Sequence, residues 1–183
     1  MTAGSSSVRL APSFVRAAFA ALAMLLSACA PTLVAPYDQG LVDGLGEVQE
    51  GVYVLLDRAA AEAPEASFSD YADEYRALEA RLDVLLTRSV VNAEGVDDAG
   101  MRAAERVNAL LAEAGGEDPA AFEGLSLSAA QIVDLRDLLR RTEAQHRADD
   151  ARSAGFWEAR RAQFTRAVTA AIALERFKQP QGS

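Results

Sequence analysis

Apolar residues recur along most of this chain at helical rather than strand spacing. Leu41, Leu45, Val48, Val52 and Leu55 fall at i, i+4, i+7, i+11 and i+14, one face of a helix predicted over 38–63. Asp38 suits the N-cap, and Tyr37 is spaced to staple onto Val42. Gly44 and Gly51 lie beside the stripe. Each costs a helix about 1 kcal/mol against alanine, so they predict close packing by a neighbouring helix. Pro64 ends this element. A second helix follows over 67–91, with Phe68, Tyr71, Tyr75, Leu78, Leu82 and Leu85 as its stripe. Such an aromatic stripe is read as core. Residues 92–100 form a polar loop. A third helix covers 98–114 with Met101, Ala104, Val107 and Leu111 inward, closed by Gly115 and Gly116. Asp118 and Pro119 suit one short helical turn.

The last predicted helix begins at a Ser-x-x-Gln capping box, Ser128 to Gln131, with Leu127 and Ile132 as the staple. Ile132, Leu135 and Leu139 continue on one face. Residues 140–154 then carry no large aliphatic or aromatic side chain, and seven of the 15 are charged, so this stretch is expected to be solvated or packed through alanine. Phe156, Trp157, Phe164, Val168, Ile172 and Phe177 restore the pattern, and no proline intervenes before Pro180. Unbroken, residues 129–178 make a rod of about 75 Å, with Gly155 as the expected bend. Strand-like runs are few. The expected fold is all-α: an antiparallel bundle of three to four helices with a long C-terminal helix. Residues 179–183 read as a flexible tail.

The first 28 residues follow a different pattern. Arg9 and Arg16 are their only charges, residues 17–26 are ten apolar residues in a row, and Ser27 and Ala28 are small. This is the order of a secretory signal, and ten apolar residues are too few to span a bilayer, which takes about 20. Leu26-Ser27-Ala28-Cys29 resembles the lipobox of bacterial lipoproteins. The resemblance implies cleavage between Ala28 and Cys29 and covalent lipid, palmitate included, on Cys29. It also implies a lipid-anchored, periplasm-facing protein. Ala30 follows where an Asp marks inner-membrane retention in some lipoproteins, so the outer membrane is favoured. An alternative stays open: Ala28-Cys29-Ala30 also fits an ordinary A-x-A site, which would release a soluble protein. On the lipid reading the chain divides into a signal peptide (1–28), a lipidated tether (29–37), a helical domain (38–178) and a tail (179–183). The eight residues 30–37 span at most about 28 Å, which holds the domain near its membrane.

Charge and candidate chemistry narrow the picture further. Residues 1–28 hold two of the 18 basic residues and none of the 27 acidic ones, which leaves 16 against 27, or −11, for the remainder. That charge disfavours nucleic acid and electrostatic docking on anionic lipid. The lone cysteine excludes a disulfide within the chain. Glu143-Ala-Gln-His146 has the Glu-x-x-His spacing of helical di-iron proteins, but those need a second copy and two more carboxylates. His146 is therefore expected on a solvated helix surface, and no metal or other cofactor is expected. No nucleophile elbow or phosphate-binding glycine loop is present, so neither catalytic residues nor an enzyme activity are expected.

Leu127-Ser-Ala-Ala-Gln131 and the Arg-rich stretch after it resemble the LTxxQ motif of small helical periplasmic stress chaperones and metal-responsive proteins. That resemblance covers about 20 residues, in one copy, with Ser in place of Thr. The leading expectation is a structural or protein-interaction module of the cell envelope. It would bind a protein partner or self-associate through Phe156, Trp157 and the 140–154 segment. The alternative is a chaperone or metal-responsive protein of the LTxxQ type.

Overall fold

The computed structural model of the chain describes residues 35–115, 123–150 and 152–179. The signal segment 1–28, Cys29, most of the tether, the Asp118-Pro119 turn, the side chain of Leu111 and the tail from Pro180 lie outside the described residues. The described chain is all-helical: α1 (Gln39–Glu62), α2 (Ala72–Asn92), α3 (Asp98–Gly115), α4 (Leu127–Ala148) and α5 (Ala154–Phe177). Short 3-10 turns occupy Phe68–Asp70 and Ala93–Gly95.

Helix α1 starts where the sequence predicts. The Asp38 carboxylate accepts from Gly40 N at 2.8 Å, the expected N-cap bond. The whole stripe Leu41, Leu45, Val48, Val52 and Leu55 is buried. Gly44 and Gly51 face α2. A Cβ on Gly51 would sit 2.7 Å from Leu78 Cδ2, and one on Gly44 would collide with Leu85. Their helix-propensity cost is thus offset by close approach of two helices.

Helices α1, α2, α4 and α5 share one core that runs from Leu41 to Ala171. Cross-links between them give the topology. Between α2 and α4, Asp83 meets Arg136 and Glu79 meets Arg140, so one number rises as the other falls. The same reversal relates α1 to α2, α4 to α5, and α1 to α5, where Tyr53 meets Thr165 and Asp57 meets Arg161. The four helices therefore form an up-down-up-down bundle, each antiparallel to both neighbours. Helix α3 is inserted between α2 and α4. Over 98–110, where its side chains are described, it buries Gly100, Ala104 and Asn108, a narrow stripe at every fourth residue. Val107, expected inward, falls off that stripe and is 42% exposed.

Three expectations about the C-terminal half are corrected. Helix α4 begins at Leu127 rather than at the Ser128 box. Its cap is Ser126, whose hydroxyl accepts from Ala129 N at 3.2 Å, while Ser128 accepts from Lys178. The long rod is two helices, broken at 149–153 and not at Gly155, so the bundle counts five helices with α3 included. At the break Asp149 is extended and Ser153 caps α5 by accepting from Phe156 N at 3.3 Å. Asp150 accepts from Phe68 N at 2.8 Å. Arg152 donates to Gln145 O at 2.8 Å, so one side chain meets a free carbonyl at the end of α4 and another meets a free N–H at the start of α5, without a glycine. Lastly, the 140–154 stretch is not uniformly solvated, because Thr142 and His146 continue the buried face of α4.

Bundle topology gives the molecule two distinct ends. The α1–α2 and α4–α5 turns share one. The other holds the start of α1, the end of α2, α3, the start of α4 and the end of α5. Residues 35–37 belong to this second end, since Ala35 is buried and Pro36 O accepts from Asn92 Nδ2 at 2.8 Å.

Candidate functional site

Three features stand out: a buried aromatic cluster at the turn end, a buried ion pair at the opposite end, and a groove between α1 and α2.

The cluster internalises Trp157, expected at an interaction surface, and His146, expected on a solvated one. His146 and Trp157 are both fully buried. His146 Nε2 lies 2.9 Å from Ala66 O, so that nitrogen carries the proton and donates. Its Nδ1 faces the Tyr75 hydroxyl at 3.4 Å, a long contact. Rings of Trp157, Tyr71, Phe68 and Tyr75 surround the imidazole at 4.7, 5.4, 5.7 and 6.0 Å. Burial pushes the Tyr75 phenol well above its usual range, which keeps it protonated. Phe156 is half-buried, with Arg152 and Arg160 over its ring at 5.1 and 5.3 Å. Burial also lowers the Arg160 guanidinium, as do the nearby cations Arg141 and Arg152. The expected Phe156–Trp157 surface is corrected at Trp157, which is core and offers nothing to a partner, while Phe156 keeps partial exposure between two arginines. The imidazole closes the bundle by tying α4 to the α1–α2 turn. Glu143 pairs with Arg147 at 2.6 Å instead of turning toward His146. Among the described residues no three potential ligands are grouped to hold a metal.

At the far end, Glu175 Oε1 and Lys178 Nζ are 2.7 Å apart with both side chains buried. Lys178 also donates to the Ser128 hydroxyl. Glu175 Oε2 is buried without a hydrogen-bond partner among the described residues.

The groove between α1 and α2 is a concave surface with the character of a docking site. Glu47, Glu50, Gly51, Val54, Leu55, Arg58, Glu74, Ala77, Leu78 and Arg81 line a depression of about 450 Å³. A second depression of about 280 Å³ continues it past Gly44, Ala80, Val84 and Leu85, with Glu47 and Arg81 common to both. Small residues make the floor: Gly44 and Gly51 on α1, Ala77 and Ala80 on α2. Val54 and Val84 stand 64% and 66% exposed over it. Arg58 is engaged with Glu74 at 2.7 Å. Glu47, Glu50 and Arg81 make no ion pair among the described residues. Their charges stand beside Val54, Ala77 and Val84. The signal for this site was in the sequence. Two glycines seven residues apart predict close packing toward α2, where Leu78 and Leu85 fill the space their Cβ atoms would take, and the furrow lies beside that seam. Val54 and Val84 lie off both core stripes.

No helix among the described residues is long and apolar enough to cross a membrane. Comparison with known protein families, curated proteins and solved structures gives no match.

Proposed function

We propose that this chain is a lipid-anchored cell-envelope protein that faces the periplasm and binds a protein partner through the α1–α2 groove. The anchor reading rests on the order of residues 9–29 and on the Leu26–Cys29 motif. The observation that carries the binding reading is the groove itself: an open furrow in which exposed valines and small residues lie among charged side chains, of which Glu47, Glu50 and Arg81 make no ion pair among the described residues. Exposed apolar surface rimmed by polar groups is the general mark of an interaction site. Its length and small-residue floor suit a helix laid along it. The partner's chemistry follows from the rim: an amphipathic helix with an apolar ridge, a basic residue for Glu47 and Glu50, and an acidic one for Arg81.

The test uses the full-length protein extracted from membranes in mild detergent. Fluorescence anisotropy would follow a labelled helical peptide with Leu and Ala at i, i+3, i+4 and i+7 and lysines beside them. Saturable binding is expected, weakened at least about tenfold, or roughly 1.4 kcal/mol, in a Val54→Asp/Val84→Asp variant. A peptide with glutamates in place of the lysines should bind less well. Equal affinity of the variant and the unaltered protein would overturn the groove as the site.

A further inference from the structure

We infer that the end of the bundle from which the tether leaves is seated on the lipid bilayer itself, through apolar side chains. This rests on the lipid-anchor reading and adds to it an orientation and a contact surface. Seven large apolar side chains are exposed among the described residues, and two of them belong to the groove. The other five, Val90, Val91, Val107, Leu110 and Phe177, all sit at the tether end, on α2, α3 and α5. Phe177 is 82% exposed, the largest value of the set. At the turn end the large aromatic side chains are instead drawn into the His146 cluster.

Chain length says what lies against this surface. Residues 35–37 are fixed to the bundle by burial of Ala35 and by the Asn92–Pro36 hydrogen bond. Six residue steps then separate Ala35 from Cys29, at most about 20 Å when fully extended. An anchor at Cys29 therefore holds this end within that distance of the acyl chains, whatever else is present. Valine, leucine and phenylalanine side chains kept there have a lower free energy inserted at the head-group boundary than left in water. The charge of −11 on residues 29–183 gives no electrostatic attraction to anionic lipid, so the contact is apolar and insensitive to salt. The α1–α2 groove runs along the side of the bundle and remains free for a partner.

Tryptophan fluorescence tests this directly, because the chain's only tryptophan, Trp157, is buried at the turn end. Full-length Phe177→Trp and Leu110→Trp variants would be purified from membranes. Each would be reconstituted in phosphatidylcholine vesicles, with ordinary acyl chains or with chains brominated near the head group. Glu65→Trp, exposed at the turn end, is the control. The expected result is a several-fold loss of the added emission in brominated vesicles for Phe177→Trp and Leu110→Trp. The loss should be the same at low and high salt and absent for Glu65→Trp. Protein that floats with the vesicles but shows no quenching at 177 or 110 overturns the inference and leaves the anchor intact. Protein that does not float overturns both. Emission at 177 that shifts with protein concentration, without quenching, assigns this end to a second copy and also overturns the inference.

Discussion

His146 and Lys178 show how far a single residue's surroundings escape the local sequence. The 140–154 stretch is rich in charge, and His146 reads there as a surface residue. It is buried because its two nitrogens meet a carbonyl and a phenol contributed from residues 66 and 75. Those partners are remote in sequence, so no pattern around residue 146 announces them. Lys178 is similar: it lies one residue past the end of α5, yet it is buried against Glu175 and Ser128. A buried pair of this kind is weak evidence of stabilisation, but breaking it strands a charge. Lys178→Met should therefore lower stability by about 3 kcal/mol, and a Lys178→Met/Glu175→Leu double variant should recover most of the loss. Chemical denaturation of the three proteins checks this. Equal midpoints for the single and double variants would show that the stranded carboxylate is not the cause.

At the scale of elements, what was legible depended on whether one residue could do the work alone. Asp38 caps α1 as its sequence position predicts, and Leu41, Leu45, Val48, Val52 and Leu55 are buried together because a 3.6-residue period fixes which side chains share a face. Asp38 also receives a two-pronged bond from Arg88, Nε to Oδ2 at 2.6 Å and Nη2 to Oδ1 at 2.7 Å. The Arg88 hydrogen bond is the main reason its carboxyl is held below the ordinary carboxylate range. A lowered folded-state pKa contributes stability above the ordinary value, and that contribution is lost as pH falls through the folded-state value. Asp38→Ala should thus cost about 1 kcal/mol at neutral pH from the cap alone, and the gap to the unaltered protein should close in acid below the ordinary aspartate range. Thermal melts across that range would follow it; a gap independent of pH would contradict the ion-pair account. The break at 149–153 was less legible. Asp149, Asp150 and Ser153 all have helix-capping side chains, but whether they end a helix or ride its surface depends on a tertiary partner. Here Phe68 N supplies that partner by donating to Asp150. Ser128 illustrates the reverse case: its Ser-x-x-Gln spacing fits a cap, yet Ser126 performs the capping two residues earlier.

For the whole molecule, helical periodicity was enough to specify an all-α antiparallel bundle, and the antiparallel ladder of ion pairs between α2 and α4 bears that out. The groove was only partly legible, since Gly44 and Gly51 announce close packing without saying which side stays open. Functional assignment ran the other way, from the N-terminal pattern inward. On this account a lipid at Cys29 holds the bundle tether-end down, with the α1–α2 furrow exposed along its side to a helical partner. Everything about its location follows from the fate of one thiol. The most direct test is the intact mass of the mature protein purified from bacterial membranes, with fragmentation of its N-terminal peptide. The account predicts a chain that begins at Cys29 and carries a diacylglyceryl group on sulfur, with or without a further acyl chain on the new amino terminus. A chain that begins at Pro31, or one that retains Met1 with an unmodified cysteine, would contradict it.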